Sequence, residues 1–341
     1  MPNDEPWHVS EDHYPAAGEP EEKLRFMLNY AVLAPSGHNT QPWLFEVEGG
    51  EVKLYADRTR GLPVVDPEDR ALIISCGAAL FHLRVAMRHF GYDDEVELLP
   101  DPDDPDLLAC VRLGPNHGET EEERSLFKAI PERRSNRRPF EDRPVPERLL
   151  SALQAAASKE GTWLHLVEDE DAKHAVAELI AEGDRIQLSD KRFRRELASW
   201  VHPNRTKSHD GVPGYAFGFG DLMSLAGPFV IRTFDTGEGQ AAKDRQLAEG
   251  SPVLAVLGTE GDTAAEWLAA GQALARVLLR ARAEGIWVSF LNQPIEVPEL
   301  RPRLRTAIRQ SGFPQLLLRM GYGPEVRPTP RRPVEEALVH P

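Results

Sequence analysis

The chain has 341 residues, 41% of them hydrophobic and 28% charged, which is length for about two domains and apolar content enough for a sizeable core. Fifty-five acidic against forty basic side chains leave a formal charge of −15, which speaks against nucleic-acid binding and against general affinity for anionic membranes. Residues 1–20, acidic and proline-rich, read as a flexible N-terminal arm. From Glu21 on, Leu24, Met27, Leu28, Ala31 and Val32 recur at helical spacing, and Pro35 and Gly37 end that helix. Trp43 to Val47 and Val52 to Tyr55, either side of Gly49-Gly50, predict a β-hairpin. Asp66-Pro67 predicts the start of a helix that runs to about Phe90, stops at Gly91, and is apolar on most sides and so buried. Short strands follow at Glu95–Leu99 and Leu107–Leu113, then a glutamate-rich linker from Pro115 to Glu123.

Beyond the linker the pattern gives a helix over about 122–130, the segment ERRSNRRPF, a helix from Pro146 to Ser158, a strand at Trp163–Val167 and a helix at Asp171–Ile180. Residues 184–226 are rich in Arg, Gly, Phe and Tyr and lack periodicity between His202 and Gly220, as a lid, a binding loop or a disordered stretch would. Phe229–Phe234 and Val253–Leu257 are strand-like. Thr263 with Glu266 forms a capping box opening a long helix that ends at Gly285. Ile286–Leu291 and Gln315–Met320 are further strands, and the tail is basic and proline-rich.

Two of these segments match each other. CGAALFHLRVAMRHFG (76–91) aligns without gaps to AGQALARVLLRARAEG (270–285), pairing Gly77 with Gly271, Leu80 with Leu274, Arg88 with Arg282 and Gly91 with Gly285. WLFEVE (43–48) likewise matches WLHLVE (163–168), each after an apolar helix. The offsets are 194 and 120, so the second copy carries 74 extra residues between these landmarks. This is the signature of a duplication with a lid-like insertion in the second copy.

Two segments are unlike ordinary surface. Ala34 to Trp43, APSGHNTQPW, gathers small residues, amides and backbone donors in one turn at a helix-to-strand junction. That suits a flat heterocycle rich in acceptors, and equally a proline-bounded loop. Arg133 to Arg138, RRSNRR, puts four arginines in six residues of an acidic protein. Alternate arginines flanking a serine can clamp a phosphate; a solvated basic helix end paired with Glu132 and Glu141 is the other reading. The histidines show no metal spacing with Cys76 and Cys110, and these two cysteines suit a core in a reducing compartment. The opening MPNDEPWHVS lacks a secretory pattern, and the longest apolar run, Ala71 to Leu83, is short for a bilayer span. A cytoplasmic protein without metal, membrane or nucleic acid is expected.

PSGHNTQPW after a helix resembles the PSxxNxQPW turn of the nitroreductase superfamily of FMN flavoproteins, and ERRSNRRPFEDRPVPERLLSAL resembles its RxSxR helix-and-loop. The last third, with GIWVSFLNQ (285–293), Met320-Gly321-Tyr322 and Pro330 to Pro333, is similar to that family's closing half. The resemblance spans about residues 22–333, and the length and duplication are nearest its twin-domain, Acg-like branch. It implies an α+β, nitroreductase-like fold, with two repeats (21–115 and 116–335) fused as an intramolecular pseudo-dimer, antiparallel-rich sheets flanked by helices, and a lid-like insertion about 200–226. It also implies FMN between the two copies. The first copy has the turn but no RxSxR before its helix; the second has RRSNRR but only Ala157 to Thr162 in place of the turn. One complete site is therefore expected.

Carried over by position, the resemblance assigns Arg133, Ser135 and Arg137 to the FMN phosphate and ribityl chain, with Arg331 closing over the phosphate. Pro35, Ser36, Gly37, Asn39 and Gln41 belong to the turn against the flavin, and the backbone of Phe290, Leu291 and Asn292 runs along the ring edge. Thr329 stands where many members have a phosphate-binding lysine. His38 is expected at the surface, as are Arg134 and Arg138. Catalytic side chains are left unassigned, since the flavin would carry the redox chemistry and the site need not present a triad or a carboxylate pair. The implied activity passes electrons from NAD(P)H through FMN to a small acceptor such as a nitroaromatic or quinone. The alternative is FMN storage or sequestration beneath a closed lid. The protein is expected to act as a monomeric pseudo-dimer or a homodimer of it.

Overall fold

In the computed structural model, which describes residues 5–339, one succession of elements occurs twice. The first copy comprises α1 (Pro20–Ala31), β1 (Trp43–Glu48), β2 (Glu51–Ala56), α2 (Arg70–His89), β3 (Tyr92–Leu98) and β4 (Leu107–Asn116). After α3 (Glu121–Ala129), the second copy starts with α4 (Glu147–Ser158) and β5 (Trp163–Leu166). Next come α5 (Glu170–Ser189), α6 (Lys191–Trp200), the short β6 (Val201–His202) and β7 (Val212–Pro213), α7 (Asp221–Thr233) and α8 (Gly237–Glu249). The second copy resumes with β8 (Val253–Thr259), α9 (Ala264–Ala283), β9 (Trp287–Phe290), α10 (Gln293–Glu296), α11 (Arg301–Ala307) and β10 (Phe313–Gly321), and α12 (Val334–Ala337) follows.

The two four-stranded sheets run β1-β2-β4-β3 and β5-β8-β10-β9, antiparallel throughout. Strand for strand this is one topology, so the fold is α+β with two repeats of the same architecture fused in one chain. The hairpin β1–β2 turns at Gly49-Gly50, and its alternating burial sets one face of the sheet on the core. The corresponding connection in the second copy, β5 to β8, is residues 167–252. The insertion expected over about 200–226 is thus the middle of a longer, mainly helical segment.

The repeat alignment predicts how the copies meet. α2 and α9 cross at Gly77 and Gly271, the pair equated in sequence. A Cβ on Gly77 would lie 2.4 Å from the Leu268 carbonyl oxygen, and one on Gly271 would lie 2.0 Å from that of Ile74. Only glycine lets the two backbones come this close. The helix start expected at Asp66-Pro67 is corrected: α2 begins at Arg70, with Asp69 at its N-cap in the left-handed region and Pro67 in the turn before it, while the Asp66 carboxylate accepts from the amides of Ala71 (3.0 Å) and Leu72 (2.9 Å) from outside the helix. By length and composition α2 could cross a membrane, yet 89% of its most apolar stretch is buried inside the protein; it is a core helix.

The cores interleave. The core under the first sheet includes Leu126, Phe127 and Ile130 from α3 and its end, and Val334 and Ala337 from α12. The tail then lies on β1, where the Val339 amide donates to the Phe45 carbonyl at 2.8 Å. At the other end Trp7 is buried, its Nε1 donating to the Thr329 carbonyl at 2.9 Å.

Two further expectations are corrected. Phe229–Phe234 is not a strand; it is mostly the last turns of α7. Helical turns propagate cooperatively from Asp221, and this outweighs the strand propensity of Phe-Val-Ile-Arg-Thr-Phe, which depends on having a sheet to join. The helix expected at Asp171–Ile180 continues to Ser189 in α5, and α6 and α8 are helices that the sequence reading does not name.

Candidate functional site

The turn after α1 is held in an unusual conformation by its own polar side chains. His38, Asn39 and Gln41 all have positive φ (47°, 58° and 53°), which costs free energy for residues with a Cβ. The Ser36 Oγ accepts from the Gln41 amide (2.9 Å), and the amide of Gly37 donates to the Ser75 Oγ on α2 (3.4 Å). Asn39 is buried and its side chain is fully engaged. Its Nδ2 donates to the carbonyls of Gly211 (2.8 Å) and Pro330 (3.0 Å), and its Oδ1 accepts from Arg331 Nη1 (2.6 Å). Gln41 is buried behind the turn, donating to the His209 carbonyl (2.8 Å) and accepting from the Arg332 amide (2.8 Å). One turn thus ties together the first copy, the insertion and the C-terminal arginines.

The arginine segment reaches the same place from the second copy. Ser135 bridges Val288 beside β9, and the Asn136 amide donates to the Val288 carbonyl at 3.1 Å, so the backbone there is extended. Arg133 is 3% exposed and donates to the Leu33 carbonyl of the first copy at 3.3 Å. Arg331 is also 3% exposed, and a further buried guanidinium, Arg319 on β10, donates to the carbonyls of Asn136 (3.1 Å) and Arg138 (3.0 Å). The Nε atoms of Arg133, Arg319 and Arg331 and the Nη1 of Arg319 are buried without a hydrogen-bond partner.

Among the described residues none of Arg133, Arg137, Arg319 and Arg331 makes an ion pair. Glu132, the partner that a solvated basic helix end would use, instead reaches Arg282 at 3.7 Å. The cost is visible in their proton affinities. Burial, with Arg134 close by, brings Arg133 down to about 9, and burial brings Arg319 down to about 10. Arg331 is held well below its ordinary value by burial and then by Arg133 and Arg134; burial also lowers Arg137, against the pull of Asp244.

These groups line one cavity of about 1150 Å³ between the two copies and the insertion. Pro35, Ser36, Gly37, Asn39, Arg133, Ser135, Arg137, Phe290, Leu291, Asn292 and Arg331 are all on its wall, and Gln41 is not. Three residues differ from expectation. His38 lines the cavity instead of facing solvent, and burial followed by the charge of Arg137 holds its imidazole near 4. Arg134 and Arg138 line it too, and the Arg134 guanidinium stacks 3.7 Å above the Trp7 ring. Thr329 is on the wall, its hydroxyl accepting from Arg331 Nη1 at 2.8 Å.

Sequence reasoning missed Arg319 and the insertion's contribution. A lone arginine inside Leu-Leu-Leu-Arg-Met-Gly was a readable signal for the former, since an unpaired charge in a buried strand is rarely accidental. From the insertion, Phe217 faces Arg137 at 5.4 Å, and Asp184, Gln187 and Asp244 line the wall. Nothing in their local sequence marks those three.

No protein-family model matches the chain. It is 34% identical over 335 residues to a Mycobacterium tuberculosis H37Rv protein provisionally named NAD(P)H nitroreductase Rv3131, an alignment covering 96% of this chain and 93% of that one. It is 30% identical over 322 residues to the provisionally named NAD(P)H nitroreductase acg of the same strain, covering 92% and 95%. Among solved structures, the FMN-dependent nitroreductase NfnB of Mycobacterium smegmatis in complex with NADPH is 17% identical, with a TM-score of 0.40, over 62% of this chain and 96% of that one.

Proposed function

The chain belongs to the nitroreductase superfamily, in its Acg-like branch, and from that premise we propose that the cavity between its copies holds FMN and serves electron transfer from NAD(P)H to a small organic acceptor such as a nitroaromatic or quinone. The observation that carries this reading is the set of buried guanidiniums without carboxylate partners. Taking one cation out of water costs several kcal/mol unless a counter-charge is supplied. A phosphate dianion supplies it, with forked, charge-assisted hydrogen bonds to the orphaned N–H groups.

In this reading Arg133, Ser135 and Arg137 bind the phosphate and ribityl chain, and Arg331 closes over the phosphate. Pro35, Ser36 and Gly37 lie against the flavin from the first copy, and the backbone of Phe290 to Asn292 follows the ring edge. Asn39 acts one step away, because its amide is spent on Arg331 and on the insertion. Bound FMN supplies hydride and single-electron chemistry that the side chains here lack. The chain's own part is to supply fixed positive charge, to exclude bulk water with the insertion, and to leave space for a second small molecule. That space exists, since the cavity exceeds the roughly 300–1,000 Å³ usual for one drug-sized ligand.

The test is to titrate the purified protein with FMN and then, without oxygen, to add NADH or NADPH followed by an acceptor. The expected result is a bound flavin spectrum that a nicotinamide bleaches and the acceptor restores. Bleaching by dithionite but by neither nicotinamide would favour the storage function. Arg133→Met should weaken FMN binding by about 10–100-fold, the worth of one charged hydrogen-bonding group, and should raise the melting temperature of the flavin-free protein by removing an uncompensated buried charge. A variant that loses stability while keeping FMN would make Arg133 scaffold and overturn the assignment.

A further inference from the structure

The cavity has an acidic region as well as a basic one. Asp184 on α5 and Asp244 on α8 are 4% and 8% exposed, and both accept from one donor, the Gln293 Nε2 at the start of α10, at 3.0 and 2.9 Å. Glu296, one turn further along, accepts from Gln187 Nε2 at 2.7 Å. All of these residues line the cavity. Among the described residues none of the three carboxylates makes an ion pair. The Asp184 Oδ2 and the Gln293 Oε1 are buried without any partner.

A scaffold does not need this arrangement. Two helices pack well with apolar side chains, whereas two buried carboxylates sharing one amide donor pay desolvation and mutual repulsion. Both Asp184 and Asp244 lie in the insertion, which the first copy lacks. Asp244 is offset in part by a hydrogen bond from the Gln240 side chain and, across space, by Lys243, Arg319 and Arg137, whereas the second oxygen of Asp184 stays without a partner. The acceptor-rich pocket therefore has unspent capacity for positive charge and N–H donors, in a protein whose net charge of −15 already draws cations towards it.

We propose that Asp184 and Asp244, which share the Gln293 amide, form with Glu296 the subsite that selects the second substrate, and that it takes a planar organic cation, an aromatic carrying an amidinium or ammonium group. The proposal rests on reading the cavity as a flavin site with room for an acceptor. Asp184 and Asp244 receive the cationic N–H groups, while the ring lies towards Leu291 and Asn292.

Three probes of one shape test it: benzamidine, benzamide and benzoate, titrated calorimetrically into the FMN-loaded protein and again into the flavin-free protein. Benzamidine is expected to bind at least tenfold more tightly than benzamide, with benzoate weakest. In the Asp184→Asn, Asp244→Asn double variant, whose side chains still accept from Gln293, that preference should shrink to within twofold while FMN affinity is unchanged. Should the double variant fail to fold, Asp244→Asn alone should lose at least threefold of it. Equal binding of benzamidine and benzamide to the wild type overturns the proposal, as does a preference that survives the substitutions. Weakened FMN binding in the double variant also overturns it, since the carboxylates would then hold the flavin. If FMN does not bind at all, the flavin reading fails by itself, and the flavin-free titration still decides the cation preference.

Discussion

The Asp184 carboxyl, one oxygen on the Gln293 amide and the other without a partner, is raised to about 7 by burial and then by the charge of Asp244. In the unfolded chain it ionises near 3.8. The unfolded state therefore gains from ionisation as pH rises above 3.8, and the folded state does so only above about 7. The stability associated with the neutral carboxyl is complete below 3.8, is lost progressively up to 7, and stays lost above. Asp184→Asn should accordingly match the wild type near pH 4 and exceed it by about 2–4 kcal/mol at pH 8, read as the difference between their unfolding free energies. The groups acting on Asp184 are Asp244 from α8, Glu296 from α10 and Arg185 from its own helix. His38 and His82, both lowered by burial, titrate in the opposite sense, and the difference between variant and wild type cancels them. At this scale the arginines were legible because four fall in six residues. Asp184 and Asp244 were not, because sixty positions separate them and only the packing of α5 on α8 makes them neighbours.

At the scale of elements, local rules carry far. The hairpin follows from Gly49-Gly50 between alternating strands and α9 from the Thr263–Glu266 box, whereas α2 starts at Arg70, four residues after Asp66. The duplication predicts the α2–α9 crossing, since the paired glycines Gly77 and Gly271 need a partner equally close. Gly271→Ala should cost about 3 kcal/mol, because the new methyl would meet the rigid backbone of Ile74. Gly285→Ala, at a helix end with φ of +77° and nothing within 4 Å, should cost only about 1 kcal/mol of strain. Denaturant midpoints of the two variants check this order, and the reverse order would mean that the crossing is loose. Local rules fail in α7 and α8. Both are built on a scaffold set by the rest of the fold, and α7 leaves Leu222, Leu225 and Phe229 exposed, so no clean amphipathic period announces it.

For the whole molecule, the decisive feature is that the copies exchange segments. The first core is completed by Leu126, Phe127 and Ile130 from beyond the linker and by Val334 and Ala337 from the C-terminal end. A fragment of residues 1–115 lacks these side chains and should show no cooperative unfolding by circular dichroism when produced alone. The intact chain should unfold in one transition despite its two sheets. A folded fragment, or two separate transitions, would mean that each copy is self-sufficient. The exchange also explains why one chain suffices for a site that draws on both copies: the turn at Ser36 and the segment at Arg133 are braced across the same interface.

Sequence alone determined the duplication, both sheets' main strands and the α9 cap, and the family resemblance picked out twelve residues of which eleven line the cavity. The former depend on local spacing or on one copy's likeness to the other, and the site residues on short motifs shared with a family. Tertiary structure decided that Asn39 spends its amide on Arg331, that Gln41 lies behind the wall, that Arg319 joins the buried guanidiniums, and that three carboxylates line the same cavity. Those facts depend on burial and on distances between residues far apart in the chain. Local sequence does not encode either, because a charge left without a partner becomes a liability, or a binding site, only once water has been removed.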